Sequence, residues 1–445
     1  MTQKDNPRKF NMERLPFYVG IITLISISLG AIFPFVLNLT PLKNYAASHL
    51  PHTHASLTGF LPATLKHPVN ILILGIDNSG HPHQGKFTPT EALAGNSDTL
   101  LLVRLVPNKH QINVLSIPRD TLVRLPDIGI DKINDANVRG GSKLAAETVS
   151  QLLNGVTIDR YVRVDTEGFI HLVDALGGVE VNIPKKMDYI DHTQHLDIHF
   201  SPGRQKLNGQ HLQEYVRFRH DALGDIGRVQ RQQEVLREIL HTALQPATIA
   251  KVPQIMQVVK ENVETDLSVE EILAIAQTVA TNNRHQMHLL MLPGRFSSNK
   301  EYKRSYWISD SSATAGILSR YFDVQTANAL DTQVNSVQPQ TLRIAVENAT
   351  GQPEVAKTVV SVLKKHGFRN VYVTHHEIDT GVDSAGRTQI IAQHGNPEAA
   401  NAVSSTLGTG QVMVASVGDI LSDVTVVIGA DLVEKLKLQY DVVPN

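Results

Sequence analysis

From Phe17 to Leu42 the chain runs for 26 residues without a formal charge, and this stretch constrains everything that follows it. Phe17 to Leu37 is apolar enough to form one membrane helix. At about 1.5 Å of rise per residue its 21 residues reach about 31 Å, the depth of a bilayer's hydrocarbon core. Pro34 is tolerable inside such a helix. Lys4, Arg8, Lys9 and Arg14 stand before it, and only Lys43 follows before Lys66. That asymmetry predicts a cytoplasmic tail over 1–16, a membrane helix over 17–39 and an extracytoplasmic remainder. The rival is a cleaved secretory signal, with Ala46 and Ser48 at a small-residue site, but the apolar region of such signals is only about 7 to 15 residues. Either way the bulk of the chain works outside the cytoplasm, and the uncleaved anchor predicts that it stays at the plasma membrane.

Beyond the anchor the chain divides. Residues 40–66, with Pro51, Gly59 and Pro62, lack periodicity and read as a linker. Val69–Gly75 (VNILILG) reads as a buried strand that delivers Asp77 to its C-terminal edge, and similar runs follow at Thr99–Leu105, Ile112–Ile117 and Met287–Leu292. Helical patterns lie at Ser142–Leu153, Thr166–Ala175, Gly227–Leu244 and Ser268–Thr281, the last with Ser268 and Glu271 placed as a capping box. This mixture predicts a layered α/β domain over 67–322. A linker over 323–340 precedes a small α/β domain over 341–435. There Gly351-Gln-Pro-Glu-Val-Ala356 and Gly395-Asn-Pro-Glu-Ala-Ala400 each place proline at the first helical position of a strand, helix, strand unit.

The composition narrows the function. With 41 Lys+Arg against 43 Asp+Glu the chain lacks the basic excess of a nucleic-acid binder. Having no cysteine, it has no disulfide, thiol nucleophile or Cys-ligated zinc. Gly80 to Phe87 has P-loop spacing, but phenylalanine occupies the place of the hydroxyl residue. Asp191 to His199 offers metal-binding residue types without a known spacing. No nucleophile elbow or zincin helix occurs.

The chemistry concentrates in four stretches. If Tyr215–Arg219 is extended, Arg217 and Arg219 point to one side while Val216 and Phe218 enter the core. In Gly224-Asp-Ile-Gly-Arg-Val-Gln-Arg-Gln232 a helix starting near Arg228 would put Arg228 and Gln232 on one face, with Arg231 beside them. Phosphate oxygens are the natural counter-charge for so many guanidinium groups, although a solvated face paired to Glu214, Asp225 and Glu234 also fits. Asp77 and Asp98, at the ends of neighbouring strands, have the donor chemistry for one magnesium ion; either could instead cap a turn. Leu115-Ser-Ile-Pro-Arg-Asp-Thr121 presents Arg119 at what should be the same sheet edge.

In this order Gly75-Ile-Asp77, Ser97-Asp-Thr99, Ser116-Ile-Pro-Arg-Asp120, Lys132-Ile-Asn134, Asp174-Ala-Leu-Gly-Gly-Val179, Arg217-Phe-Arg219 and Gly224 to Gln232 resemble the LytR-CpsA-Psr family of cell-wall glycopolymer ligases. The segment opening with Val346-Glu-Asn-Ala-Thr-Gly351 is similar to the LytR C-terminal domain. The resemblance implies a three-layer α/β/α domain with a mixed central sheet. It also implies transfer of a phosphoglycan, such as a teichoic acid or capsular polymer, from a polyprenyl pyrophosphate carrier to peptidoglycan. By the same resemblance Asp77 and Asp98 hold Mg2+, and Arg119, Arg217, Arg219, Arg228, Arg231 and Gln232 bind the pyrophosphate. Asp225 orients the arginines. Two positions depart from the family pattern: Asn96 and Ser79 stand where arginine is usual, and Lys86 or Arg104 is the candidate replacement contact. A weakly catalytic binder of lipid-linked polymer or peptidoglycan, and a pyrophosphatase using water as acceptor, are the other activities these residues allow.

Overall fold

The computed structural model describes residues 65–77, 93–191, 196–218, 225–243, 245, 248, 251–280, 287–324, 338–350, 352–374, 386–419 and 421–440. The expected membrane helix over 17–39 lies outside them, and no helix among the described residues is long and apolar enough to cross a membrane.

The aliphatic runs of the larger domain become strands β1 (Val69–Asp77), β2 (Asn96–Val106), β3 (Gln111–Ile117), β4 (Arg160–Asp165), β5 (Val263–Thr265) and β6 (Met287–Met291). They form one sheet in the order β5-β4-β1-β2-β3-β6. The sheet is mixed. β1 runs parallel to β4 and β3 to β6, whereas β1/β2, β2/β3 and β4/β5 are antiparallel. The strands β1, β3, β4 and β6 therefore end at the same edge.

Period-two alternation sorts the strand side chains onto two faces. Leu72, Leu74, Leu102 and Leu115 pack with Ala145 and Val149 of α1 (Asp135–Leu152) and, later in the chain, Ile317 and Leu318. Ile71, Leu101, Val114 and Leu289 face the opposite way, toward Leu236, Ile275 and Val279. The helices covering these faces and the sheet edge are α2 (Thr166–Leu176), α3 (Gly209–Arg217), α4 (Asp225–Ala243), α5 (Val269–Ala280) and α6 (Ser311–Tyr321). The result is a sheet between two helical layers. At α5 the capping box forms as the sequence suggests: the Glu271 amide donates to Ser268 Oγ at 3.1 Å and the Ser268 amide to Glu271 Oε2 at 2.9 Å. A short hairpin after β6 pairs β7 (Gly294–Phe296) with β8 (Trp307–Ser309).

The smaller domain is a five-stranded sheet. Its strands are β9 (Arg343–Asn348), β10 (Asn370–Val373), β11 (Gln389–Ala392), β12 (Gln411–Val414) and β13 (Val424–Ile428), in the order β10-β9-β13-β11-β12. Helices α7 (Pro353–Lys365) and α8 (Pro397–Leu407) begin at the prolines of the two related hexapeptides, and each joins a parallel strand pair. The two units do not touch directly in the sheet. Between them lies β13, a fully buried VTVVI run parallel to β9 and antiparallel to β11, followed by α9 (Ala430–Tyr440). Sequence reading left both of these out.

The domains are docked along a sheet edge. Leu289 of β6 bridges Ala415, and the Ser416 amide donates to the Leu289 carbonyl at 2.8 Å. Ser416 Oγ accepts from the Met291 amide at 3.0 Å and donates to the Gln393 carbonyl at 2.9 Å.

Candidate active site

The shared strand edge of the larger sheet carries the site. Gly75 pairs with Thr99, but Ile76 pairs with Ser97, so Asp98 is an extra residue bulged out of β2. A bulge breaks the alternation and re-aims a side chain. Asp98 would otherwise turn toward Leu100 and Leu102; instead it joins Thr99 and Leu101 in lining a cavity on the α4 side. Asp77, at the end of β1, lines the same cavity, whose volume is about 260 Å³.

Two helices close this cavity. Asn208 caps α3 by accepting from the His211 amide at 2.9 Å, and Leu212 and Tyr215 are buried one helical turn apart. Tyr215–Arg217 is therefore the end of a helix, where the sequence suggested an extended segment, because the apolar spacing from Leu212 follows a helical period. Phe218 is buried, as expected, while Val216 lines the cavity beside Arg217. The Arg217 guanidinium lies 3.3 Å from Asp77 Oδ2.

Along α4, residues Arg228, Gln232, Val235, Leu236 and Ile239 face the cavity at helical spacing. The wall is thus polar near the helix N-terminus and apolar farther on, over about 16 Å at 1.5 Å per residue. Phe169 and Val164 add to the apolar lining. Gln232 Nε2 donates to Thr99 Oγ1 at 3.1 Å. Positive helix-dipole charge and two arginines favour an anion at the polar end.

Arg119 is not part of the lining but reaches Asp98: its Nη1 is 2.8 Å from Asp98 Oδ2, and its Nε is 4.0 Å from Asp120, which pairs with Lys132 at 2.7 Å. Asn134 ties the motif loops together, donating from its amide to the Arg119 carbonyl at 3.2 Å and accepting from the Ser97 amide at 3.3 Å. The Asp174-to-Val179 motif is architectural. Asp174 Oδ1 accepts from the Gly209 amide at 2.8 Å, and Gly177 and Gly178 adopt φ of 90° and 86°, which favour glycine.

Besides Arg119, which was expected to bind the pyrophosphate but does not line the cavity, two placements differ from expectation. Arg231 does not face the cavity; it is buried, donates to the Phe218 carbonyl and lies 5.4 Å over the Phe218 ring. At i+3 from Arg228 it falls beside the lining face, and it braces the end of α3. Arg104 contacts Asn70 and Asp323 near the far end of β2, six residues and about 20 Å from Asp98, so it cannot replace a phosphate contact. Asn96 Nδ2 donates to Asp135 Oδ1 at 3.1 Å. Arg219, Ser79, Lys86 and the P-loop-like segment lie outside the described residues, and of Asp225 only the backbone, which opens α4, is described. Sequence reasoning missed Asp165, Thr99 and Gln213 in the lining. Asp165 carried a signal: it ends β4 and caps α2, accepting from the Gly168 amide at 2.8 Å.

Among the described residues no cluster of three or more His, Asp or Glu side chains makes a ready metal cage. Two carboxylates facing one cavity do match a hard cation that completes its shell with phosphate and water oxygens.

Compared with known proteins, residues 43–321 match the LytR_cpsA_psr family. The chain belongs to that family. Residues 341–432 match a second family described as the LytR cell envelope-related transcriptional attenuator. Over 224 residues this LytR-CpsA-Psr protein is 35% identical to the polyisoprenyl-teichoic acid–peptidoglycan teichoic acid transferase TagU of Oceanobacillus iheyensis, covering 49% of this chain and 63% of that protein. It is 34% identical over 234 residues to TagV of Bacillus subtilis, which bears the same transferase name, covering 52% and 57%. The chain therefore spans less than two thirds of the length of these relatives. A crystal structure of a Streptococcus agalactiae protein superposes with a TM-score of 0.50 at 25% identity, covering 57% of this chain and 86% of that one. The α/β architecture with a mixed sheet is thus that of the family.

Proposed function

We propose that the protein is a membrane-anchored phosphotransferase that moves a phosphoglycan of the teichoic acid or capsular type from a polyprenyl pyrophosphate carrier to peptidoglycan. One geometric observation carries the reading. Asp77, Asp98, Arg217, Arg228 and Gln232 line one cavity whose α4 wall continues as Val235, Leu236 and Ile239. A pyrophosphate head with an isoprenoid tail has that same division between charge and hydrocarbon. The names of the transferase relatives support the substrate class.

In the proposed reaction a peptidoglycan hydroxyl attacks the phosphorus nearer the glycan. The new P–O bond joins polymer to acceptor, the bond to the distal phosphate breaks, the polyprenyl phosphate leaves and the hydroxyl proton is released. Arg217 and Arg228 neutralise the charge that accumulates on the bridging and equatorial oxygens, a task that dominates phosphoryl transfer. Gln232, fixed by Thr99, orients a further oxygen. Arg119 holds the Asp98 carboxylate, and Arg217 steadies Asp77. Asp77 and Asp98 would hold a magnesium ion, which supplies Lewis-acid neutralisation of the pyrophosphate when bound. The uncharged stretch over 17–39 would keep the apolar cavity near the bilayer that contains the carrier.

The test is incubation of the full chain in detergent with a polyprenyl pyrophosphate-linked glycan and peptidoglycan. Polymer joined to peptidoglycan supports the reading; phosphate release without joining, or binding without turnover, overturns it.

A further inference from the structure

A second cavity, of about 180 Å³, lies between the two domains, beyond the end of β6. Its position is informative. The strands β1, β3, β4 and β6 end at one edge, so this cavity continues the edge on which Asp77 and Arg119 stand. Trp307 in its wall is tied to the arginine loop, since its amide donates to the Asp120 carbonyl at 2.9 Å.

The larger domain contributes an aromatic wall. Phe296 and Trp307 meet edge to face at 5.2 Å; Trp307 is buried and Phe296 is 41% exposed. The indole is fixed by donation from Nε1 to the Leu292 carbonyl at 3.2 Å. Arg295 also borders the cavity, but Glu301 holds it at 2.6 Å, so the wall does not present an uncompensated charge for an anion. From the smaller domain come Gln393, His394 and, at the exposed rim, Leu421. Gln393 is only 1% exposed, and its Nε2 donates to Thr425 Oγ1 at 2.9 Å, so its amide is held inside the smaller domain and backs the wall.

We propose that this interdomain cavity is a saccharide subsite that takes an N-acetylhexosamine unit. A pyranose ring presents C–H faces that stack on Phe296, while its hydroxyl and acetamido groups face the polar rim around His394. An aromatic wall with a neutral polar rim fits that chemistry better than a phosphate or a peptide carboxylate. Neither domain forms the subsite alone, which gives the smaller domain a defined task. That the bound saccharide is the acceptor strand rests on the transferase reading; affinity for a saccharide does not.

The experiment is calorimetric titration of the full chain in detergent with chitotetraose, a β-1,4-linked N-acetylglucosamine oligomer, and separately with farnesyl pyrophosphate. The wild type binds chitotetraose. Phe296→Ala and the rim variant Leu421→Glu, both at exposed side chains, each weaken it by about tenfold while farnesyl pyrophosphate affinity and melting temperature are unchanged. Wild-type protein that does not bind chitotetraose at millimolar concentration, or variants that bind it as the wild type does, overturn the subsite. Failure of the transferase reading shows separately, as no polymer joined to peptidoglycan in the incubation with the polyprenyl pyrophosphate-linked glycan.

Discussion

Gly75 and Thr99 face each other across β1 and β2 so closely that a Cβ on Gly75 would stand 3.0 Å from the Thr99 Cβ. That contact lies one residue from the bulge that turns Asp98 into the cavity. Thr99 in turn accepts from Gln232, so the position couples strand spacing to the α4 wall.

Gly75→Ala should therefore push Thr99 away from Gln232. Overpacking at such a point costs about 1 to 3 kcal/mol. The denaturant midpoint should fall by a corresponding amount, and farnesyl pyrophosphate should bind more weakly. A variant that matches the wild type in both measurements would show that the strands separate without disturbing the site.

Arg228 and Arg231 stand three residues apart on α4 but serve different neighbours, so their substitutions should separate. Arg228→Gln should weaken pyrophosphate binding by about 1.5 to 3 kcal/mol, the scale of a charge-assisted contact. Arg231→Gln should chiefly lower stability, because it removes the brace on Phe218. Parallel titration and thermal melting of the two variants check this. Equal losses of affinity would mean that both arginines reach the ligand.

If Asp98 helps to hold magnesium, Asp98→Asn should reduce the gain in pyrophosphate affinity that added magnesium gives the wild type. The same substitution loosens Arg119, whose guanidinium it no longer fixes by charge. Titration of farnesyl pyrophosphate with magnesium and then with excess chelator reads the effect. A chelator-insensitive wild type would remove the ion from the site.

His288, half-buried on β6, has its Nδ1 2.7 Å from Asn113 Oδ1 and packs on Tyr321 at 4.8 Å. Burial pushes its imidazole down from 6.5 to about 4. Between those values the unfolded chain takes up a proton that the fold refuses, so stability is complete above pH 6.5 and declines as the pH falls toward 4. The loss should approach about 3 kcal/mol. His288→Gln should flatten the acid limb of unfolding free energy against pH; an unaltered slope would assign that limb to carboxylates alone.

What could be read from the sequence was local. The strand runs that deliver Asp77 and Arg119, the Ser268–Glu271 capping box and the prolines that open α7 and α8 are set by period and cap chemistry within a few residues. The bulge at Asp98 was not legible, because it is a property of register between β1 and β2 and neither strand encodes it alone. The helix ending at Arg217 was misread because Tyr215 to Arg219 is too short to separate the two periods; the decisive Leu212 and Asn208 lay upstream. Burial of Arg231 on Phe218 depends on how α3 meets α4, and the pairing of Arg104 with Asp323 joins residues far apart in the chain.

The docking of the two domains leads to the last prediction. Ser416 is 4% exposed, and its hydroxyl both accepts from the Met291 amide and donates to the Gln393 carbonyl. Ser416→Ala strands both groups in a buried interface, at about 1 to 3 kcal/mol for each unless water enters. Gln230 Nε2, which donates to the Gly418 carbonyl at 2.7 Å, links the same region to α4 between Arg228 and Gln232. In calorimetry the wild type should unfold with the two domains melting together, and Ser416→Ala should broaden or split that transition. Gln230→Ala should do so less, since Gln230 is only half-buried and water can replace it at Gly418. Two separate transitions already present in the wild type would mean that the sheet-edge junction does not bind the domains into one cooperative unit, and the interdomain cavity would then lack a fixed shape.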